Sequence, residues 1–126
     1  DYVDFDGCSD KLNPVVDAIA GLDPSKRPTA LFAYDDIIAL HLIKKLRERD
    51  LRVPEDVSVA GLDNIAMANL SAVTLTTAAA DSDRLSEAAI DILVKRLNEE
   101  QRGELCDVSL LPNIHVRQST APPSTP

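Results

Sequence analysis

Residues 28–64 read PTALFAYDDIIALHLIKKLRERDLRVPEDVSVAGLDN, and this stretch decides the fold. Thr29 to Ala33 is a nearly continuous apolar run bounded by Pro28 and by Asp35-Asp36. That pattern predicts a short strand buried on both faces, as in a parallel sheet. A helix follows at once. Ile37, Leu40 and Lys44 share one row, Ile38, Leu42 and Leu46 a neighbouring one, and Lys45, Arg47 and Arg49 crowd its end, where the helix dipole favours cations. Leu51 to Asp56 forms a return loop, and Val57 to Leu62 is the next strand. Strand, helix and strand at this spacing make a βαβ unit with parallel strands and a right-handed crossover.

Working outward, Asn13-Pro14 starts an earlier helix, with Asn13 as the expected N-cap and Gly21 as the terminator. Val3 to Phe5 reads as a short strand, and Asp23 to Pro28 as a surface loop. Downstream, Val73 to Thr77 is a β-prone connection. A long amphipathic helix runs from Ser82 to Glu100 with Leu85, Ala89, Ile92 and Leu93 at helical spacing. Val108 to Leu111 and Ile114 to Val116 read as two short strands around Pro112-Asn113. Residues 1–120 are expected to form the folded part and residues 121–126 a disordered tail.

The 126 residues carry a net charge of −8. An acidic surface repels phosphate backbones, so this chain is a poor nucleic-acid ligand by itself. No apolar run is long enough for a membrane span, and Asp1 to Asp6 lacks the pattern of a secretory signal. Cys8 and Cys106 lie far apart with no C-x-x-C spacing; a single disulfide and two reduced thiols in a cytoplasmic protein are the competing readings, and the second is preferred.

In an open parallel sheet, ligands bind beyond the carboxyl ends of the strands. Asp4 and Asp6, Asp35-Asp36, and Asp63-Asn64 all fall at such ends. Carboxylates accept several hydrogen bonds and suit the hydroxyls of a sugar or nucleoside. Two readings compete at each place: a ligand contact, or a cap or turn former. Asp36, or Asp35, is expected to be the helix N-cap, a reading preferred to a ligand role for Asp36. No imidazole or thiolate neighbours these acids, so no metal site is expected. His41 and His115 read as structural, there is no phosphate loop and no G-x-S-x-G elbow, and no cofactor is expected.

The same residues resemble a family. Pro28 to Ala33, Asp35-Asp36 and Ala39-Leu40 are similar to the "PTA-hydrophobic-Asn-Asp-x-x-Ala-Leu" block of LacI/GalR transcription regulators. Arg52 to Ile65 resembles that family's strand and ligand turn, Leu75-Thr76-Thr77 its lobe-crossing segment, and Arg117-Gln118-Ser119-Thr120 its closing "R-x-S-T". The resemblance covers about Asp4 to Thr120.

It implies an α/β, parallel-sheet three-layer sandwich: one lobe of a periplasmic-binding-protein-like fold, and incomplete. Most of the C-terminal lobe is represented, with one helix that packs on the N-terminal lobe. The DNA-binding domain and most of the N-terminal lobe are absent. The implied function is an effector-sensing and dimerisation module, not an enzyme, that binds a small sugar-like or nucleoside-like ligand and controls operator DNA through the absent domain.

The resemblance implies Asp63, Asp35 and Phe5 as ligand residues, Phe5 by stacking once an insertion in the Asp23 to Arg27 loop is allowed for. It implies a homodimer contact at Ile37, Leu40, Ile43, Lys44, Met67 and Ala68, for which plain core packing is the competing reading. Asp35 departs from the family's asparagine, Val73-Thr74 from its prolines, Ala80 from a glutamine, and Asp50 and Ser86 from glycines. The alternative is the sugar-binding protein of a transporter. A hydrolase using Asp35 and Asp63 ranks below both, because no nucleophile or cofactor accompanies them.

Overall fold

The structure, a computed structural model, describes residues 9–98 and 107–123. The expected strand at Val3 to Phe5, the stacking residue Phe5 and both cysteines lie outside the described residues. The chain divides into two units, Asp1–Ala78 with Ile114–Pro126, and Ala79–Asn113.

In the first unit, a 3-10 turn at Ser9–Leu12 leads into α1 (Asn13–Ala20). Leu12 holds the cap position without a side-chain bond, and Pro14 sits in the first turn. Asn13 is therefore the first helical residue and not the N-cap expected. Its amide oxygen instead accepts from Arg49, which also pairs with Asp17 at 2.6 Å, so one guanidinium ties the two helices together. Gly21 closes α1 as expected, donating its N–H to Asp17.

β1 (Ala30–Phe32), α2 (Asp36–Arg47) and β2 (Ser58–Leu62) form the βαβ unit. β1 and β2 are parallel, with Ala30 opposite Ser58 and Phe32 opposite Ala60. α2 packs on β2, and Leu42, Leu46, Val57 and Val59 join Val16 and Ile19 of α1 in one core. The helix ends through Asp50, which takes φ 58°. This is the place where the family resemblance puts a glycine, and the left-handed backbone explains why one suits it. In the return loop Arg52 grips Asp56 at 2.8 Å, and that hydrogen-bonded partner lowers the Asp56 carboxyl to about 2.

The expectation of a first strand buried on both faces is corrected. β1 lies at the sheet edge in the order β1-β2-β3-β4. Leu31 is half-buried, while Ala30 and Phe32 are exposed, Phe32 by 69%. The apolar run marked a strand, but nothing among the described residues covers its second face.

Two further differences concern the short elements. A single helical turn, α3 (Met67–Leu70), follows the turn after β2. β3 (Thr76–Ala79) then pairs parallel to β2, with Ala60 opposite Thr76 and Leu62 opposite Ala78. It lies three residues later than the β-prone stretch suggests. The expected pair of strands around Pro112-Asn113 reduces to one, β4 (Asn113–His115), because residues 107–112 adopt no regular structure.

The closing segment completes the unit. Ser119 is wholly buried. Its hydroxyl donates to the Val59 carbonyl at 2.6 Å and accepts the Thr76 N–H at 2.8 Å. Its own N–H donates to Thr74, and its carbonyl accepts from Val59. One residue thus bridges the amino-terminal halves of β2 and β3. Ala121 and the Ser58 hydroxyl bond one another just beyond.

In the second unit, α4 (Ser82–Leu97) is capped by the Asp81 carboxylate, which accepts from the Arg84 N–H. None of its residues is buried, and Leu85, Leu93 and Leu97 are more than half exposed. No helix among the described residues is long and apolar enough to cross a membrane.

The Ser119 geometry yields a stability prediction. Ser119→Ala strands the Thr76 N–H and the Val59 carbonyl in the interior. Losing two buried hydrogen bonds is expected to destabilise the fold by about 2–4 kcal/mol. Urea denaturation of the variant against the parent chain measures it; a change below about 0.5 kcal/mol would refute the bridge.

Candidate functional site

Because β1 and β2 are parallel neighbours, the residues that follow them leave the same edge of the sheet. Asp35 follows β1, and Asp63 follows β2 directly. The two acids proposed from sequence are therefore brought to one edge, at the carboxyl ends where open α/β sheets place ligands. Tyr34 stands beside them, 76% exposed.

The Asp35-Asp36 doublet splits into two roles. Asp35 has extended backbone and is the N-cap of α2, one carboxylate oxygen accepting the Ile38 N–H at 2.7 Å. It is half-buried at the surface. Of the two acids expected to supply the cap, Asp35 does so, and Asp36 is wholly buried instead. Its Oδ2 accepts the Ile65 N–H at 2.9 Å, which ties the start of α2 to the turn after β2. Its Oδ1 has no partner among the described residues and lies in the space beside Gly61 that a side chain at that position would fill.

The turn at Asp63-Asn64-Ile65 is held by its backbone. Asp63 donates its N–H to Ala78 at 2.8 Å, Asn64 to the Thr77 hydroxyl at 3.2 Å, and Ile65 to Asp36. Asp63 and Asn64 take φ 104° and φ 51°, a region that short polar residues tolerate better than most. With all three amides directed inward, the Asp63 side chain is left exposed at the edge. Asn64 is fixed in turn by Arg117, which donates to its side-chain oxygen and, at 2.7 Å, to the Leu75 carbonyl. No group of three or more metal-ligating side chains occurs among the described residues.

Comparison with known proteins decides the family. Residues 7–120 match the family described as "Periplasmic binding protein-like domain". The chain belongs to that family. Within it, the chain is part of the effector-binding domain of LacI/GalR-type regulators. It is 41% identical over 97 residues to the HTH-type transcriptional repressor PurR of Aliivibrio fischeri strain MJ11, covering 77% of this chain and 28% of the repressor. A Haemophilus influenzae PurR is 38% identical over 100 residues, 78% of this chain and 30% of that protein. The chain thus spans about a third of the length of these relatives.

Two solved LacI-family regulators share the fold at 26% identity. An Arthrobacter structure in complex with lactose has a TM-score of 0.74, covering 91% of this chain and 43% of that one. An Enterococcus faecium structure with bound ribose has a TM-score of 0.73, covering 95% and 43%. The matches are named as regulators and repressors, which does not favour the transporter alternative.

In this LacI-type domain the expected contact residues divide by exposure. Ile37 and Met67 are 53% and 63% exposed, Lys44 is exposed and Leu40 half-buried. Leu40, Lys44 and Met67, together with Ile43 and Val73, line a largely apolar groove between α2 and α3, and Ile37 is not among its lining residues. Ala68 is wholly buried and belongs to the core. Ile43, 6% exposed, touches the groove only at its floor. Ala80 is exposed beyond β3.

Sequence reasoning missed two residues of the site's support. Arg117 was noted only as part of a closing motif, and Asp36 only as a cap candidate or a ligand contact. The available signal was Gly61 just before the turn, since a glycine inside a strand marks a close approach.

Gly61 gives the prediction here. A Cβ would collide with the Asp36 carboxylate and stand 3.1 Å from Leu75 Cδ2. Gly61→Ala should therefore cost about 1–3 kcal/mol in thermal or urea unfolding, whereas Gly21→Ala, which meets only ordinary contacts, should change stability by under about 1 kcal/mol.

Proposed function

We propose that the chain is the effector-sensing and dimerisation part of a cytoplasmic LacI-type transcription regulator. Its effector is a small sugar or nucleoside-like molecule, and it acts on operator DNA through a separate DNA-binding domain. The observation that carries this reading is the placement of Asp63, exposed on an amide-tethered turn, on the same sheet edge as Asp35. An ionised carboxylate only accepts hydrogen bonds, so two of them on one wall call for a ligand with several donors, and a polyol supplies them. One oxygen of Asp35 is committed to the helix cap, which makes Asp63 the stronger contact of the two. Regulators of the same fold hold lactose and ribose, which supports the ligand class.

The domain works by population shift. A ligand changes the balance between two conformations only through its differential affinity for them. Asp63 and Asp35 supply one wall of the cleft, and Phe5 a stacking surface.

The proposed dimer contact is the face of Ile37, Leu40, Lys44 and Met67, with Ile43 beneath. Its exposed apolar side chains support this reading, since contiguous apolar surface marks an association site. Ala68 supports the face from inside the core.

Asp63→Asn keeps size and removes charge. Calorimetry on the full-length protein with ribose, glucose, lactose and adenosine should identify a binder, and the variant should bind it about 10- to 100-fold more weakly, as expected for one charge-assisted hydrogen bond. Unchanged affinity for the identified binder would dismiss Asp63 as a contact. For the dimer, Ile37→Asp with Met67→Asp places two carboxylates in the apolar face. Sedimentation equilibrium should then show a monomer where the parent protein is a dimer; a dimer of unchanged strength would move the interface elsewhere.

A further inference from the structure

We propose that Arg117 is a positioning residue for the ligand turn: by bridging Asn64 to the start of β3, it sets the orientation in which Asp63 is presented. This rests on the reading of Asp63 as the effector contact. The fork of a guanidinium lets one side chain hold two acceptors in fixed relation. Here one arm takes the Asn64 side-chain oxygen and the other the Leu75 carbonyl. The Arg117 backbone is itself anchored, its N–H donating to the Thr76 hydroxyl at 2.9 Å. Two residues on, Ser119 is locked between β2 and β3. The fork therefore stands on a fixed base.

What it adds is a side-chain tie to a turn otherwise held through its three amides. The amides of Asp63, Asn64 and Ile65 are satisfied by Ala78, Thr77 and Asp36. Those bonds hold the inner side of the turn. Asp63 and Asn64 both sit at positive φ, 104° and 51°, a conformation that residues other than glycine adopt at a cost, so a further tie through a side chain helps to keep the turn in place. The bond from Arg117 to the Asn64 side chain supplies that tie and steadies the backbone from which the Asp63 carboxylate projects. Arg117 does not touch the ligand; it acts through Asn64.

The test reads the turn directly and needs no effector. Amide hydrogen exchange is followed residue by residue in the full-length protein. Arg117→Met keeps the aliphatic stem and removes the fork, and exchange at Asp63, Asn64 and Ile65 should rise about tenfold or more, the loss of one charge-assisted hydrogen bond. Exchange in α2 should not change. Asn64→Asp keeps the acceptor and adds charge, so turn exchange should slow. In the double variant that slowing should vanish, because its partner is gone. Arg117→Lys, which reaches only one acceptor at a time, should fall between Arg and Met.

A uniform acceleration across both α2 and the turn, or a slowing by Asn64→Asp that persists without Arg117, would overturn the proposal. If Arg117→Met does not fold, Asn64→Asp alone decides it: unchanged turn exchange rejects the bridge. Asp63→Asn separates this idea from the site itself. It should leave exchange at Asn64 and Ile65 unaltered whether or not it weakens ligand binding, so failure of the Asp63 assignment and failure of the Arg117 assignment give different results.

Discussion

One buried serine determines how the sheet is assembled. Between Val59 on one side and Thr74 and Thr76 on the other, Ser119 makes four hydrogen bonds with its hydroxyl, N–H and carbonyl. The two strands pair directly only from Ala60 and Thr76 onward. Before that point they are joined through this residue. A polar group in the interior is costly unless satisfied, and here two bonds go to Val59 and two to the Thr74–Thr76 segment, so they hold only when those two segments and the closing one are in register. Register then propagates to the edge that carries Asp63 and Asp35. With Leu62 opposite Ala78, the Ala78 carbonyl meets the Asp63 N–H. A residue near the end of the chain thereby fixes where a turn in its middle can form.

The second constraint runs the other way, from helix to turn. Asp36 is carried inward at the first position of α2 and reaches the Ile65 N–H, with its other oxygen against Gly61. A buried carboxylate oxygen with no partner among the described residues costs stability. The geometry that requires it also couples the start of α2, capped by Asp35, to the turn that presents Asp63. The adjacent aspartates thus divide the work: one secures the helix at the surface, the other secures the turn from beneath.

The sequence made the βαβ unit readable because its strands are apolar runs stopped by proline and acids, and its helix keeps a strict apolar stripe. The placement of Asp35 and Asp63 on one edge followed from parallel pairing alone. Other features were invisible for definite reasons. Two consecutive aspartates look alike on paper, and only burial tells a cap from a buried tie. Ser119 and Arg117 act through contacts more than forty residues away, which no local pattern encodes. β3 is built of Thr76, Thr77 and two alanines, so the β-prone threonines marked its start while the alanines hid where it ends. Conversely, Val108 to Leu111 has strand-like composition and forms none, because composition gives a preference and pairing partners make the strand. The exposed face of Phe32 shows the same limit, since an apolar run reveals a strand but not whether both its faces are covered.

These constraints bear on how a regulator of this design would respond to its ligand. A turn with three successive amides directed inward and its side chain clamped is a poor moving part. Under the proposed function its contribution to binding is preorganisation: the carboxylate would already be aimed, so little ordering entropy would oppose contact. A rigid wall contributes equally to every state in which it meets the ligand, and equal affinity shifts no equilibrium. Under the proposed function, the difference between states must therefore come from what closes against this wall. The chain spans about a third of its repressor relatives, and the wall it provides is the fixed reference against which the remainder of such a protein would move.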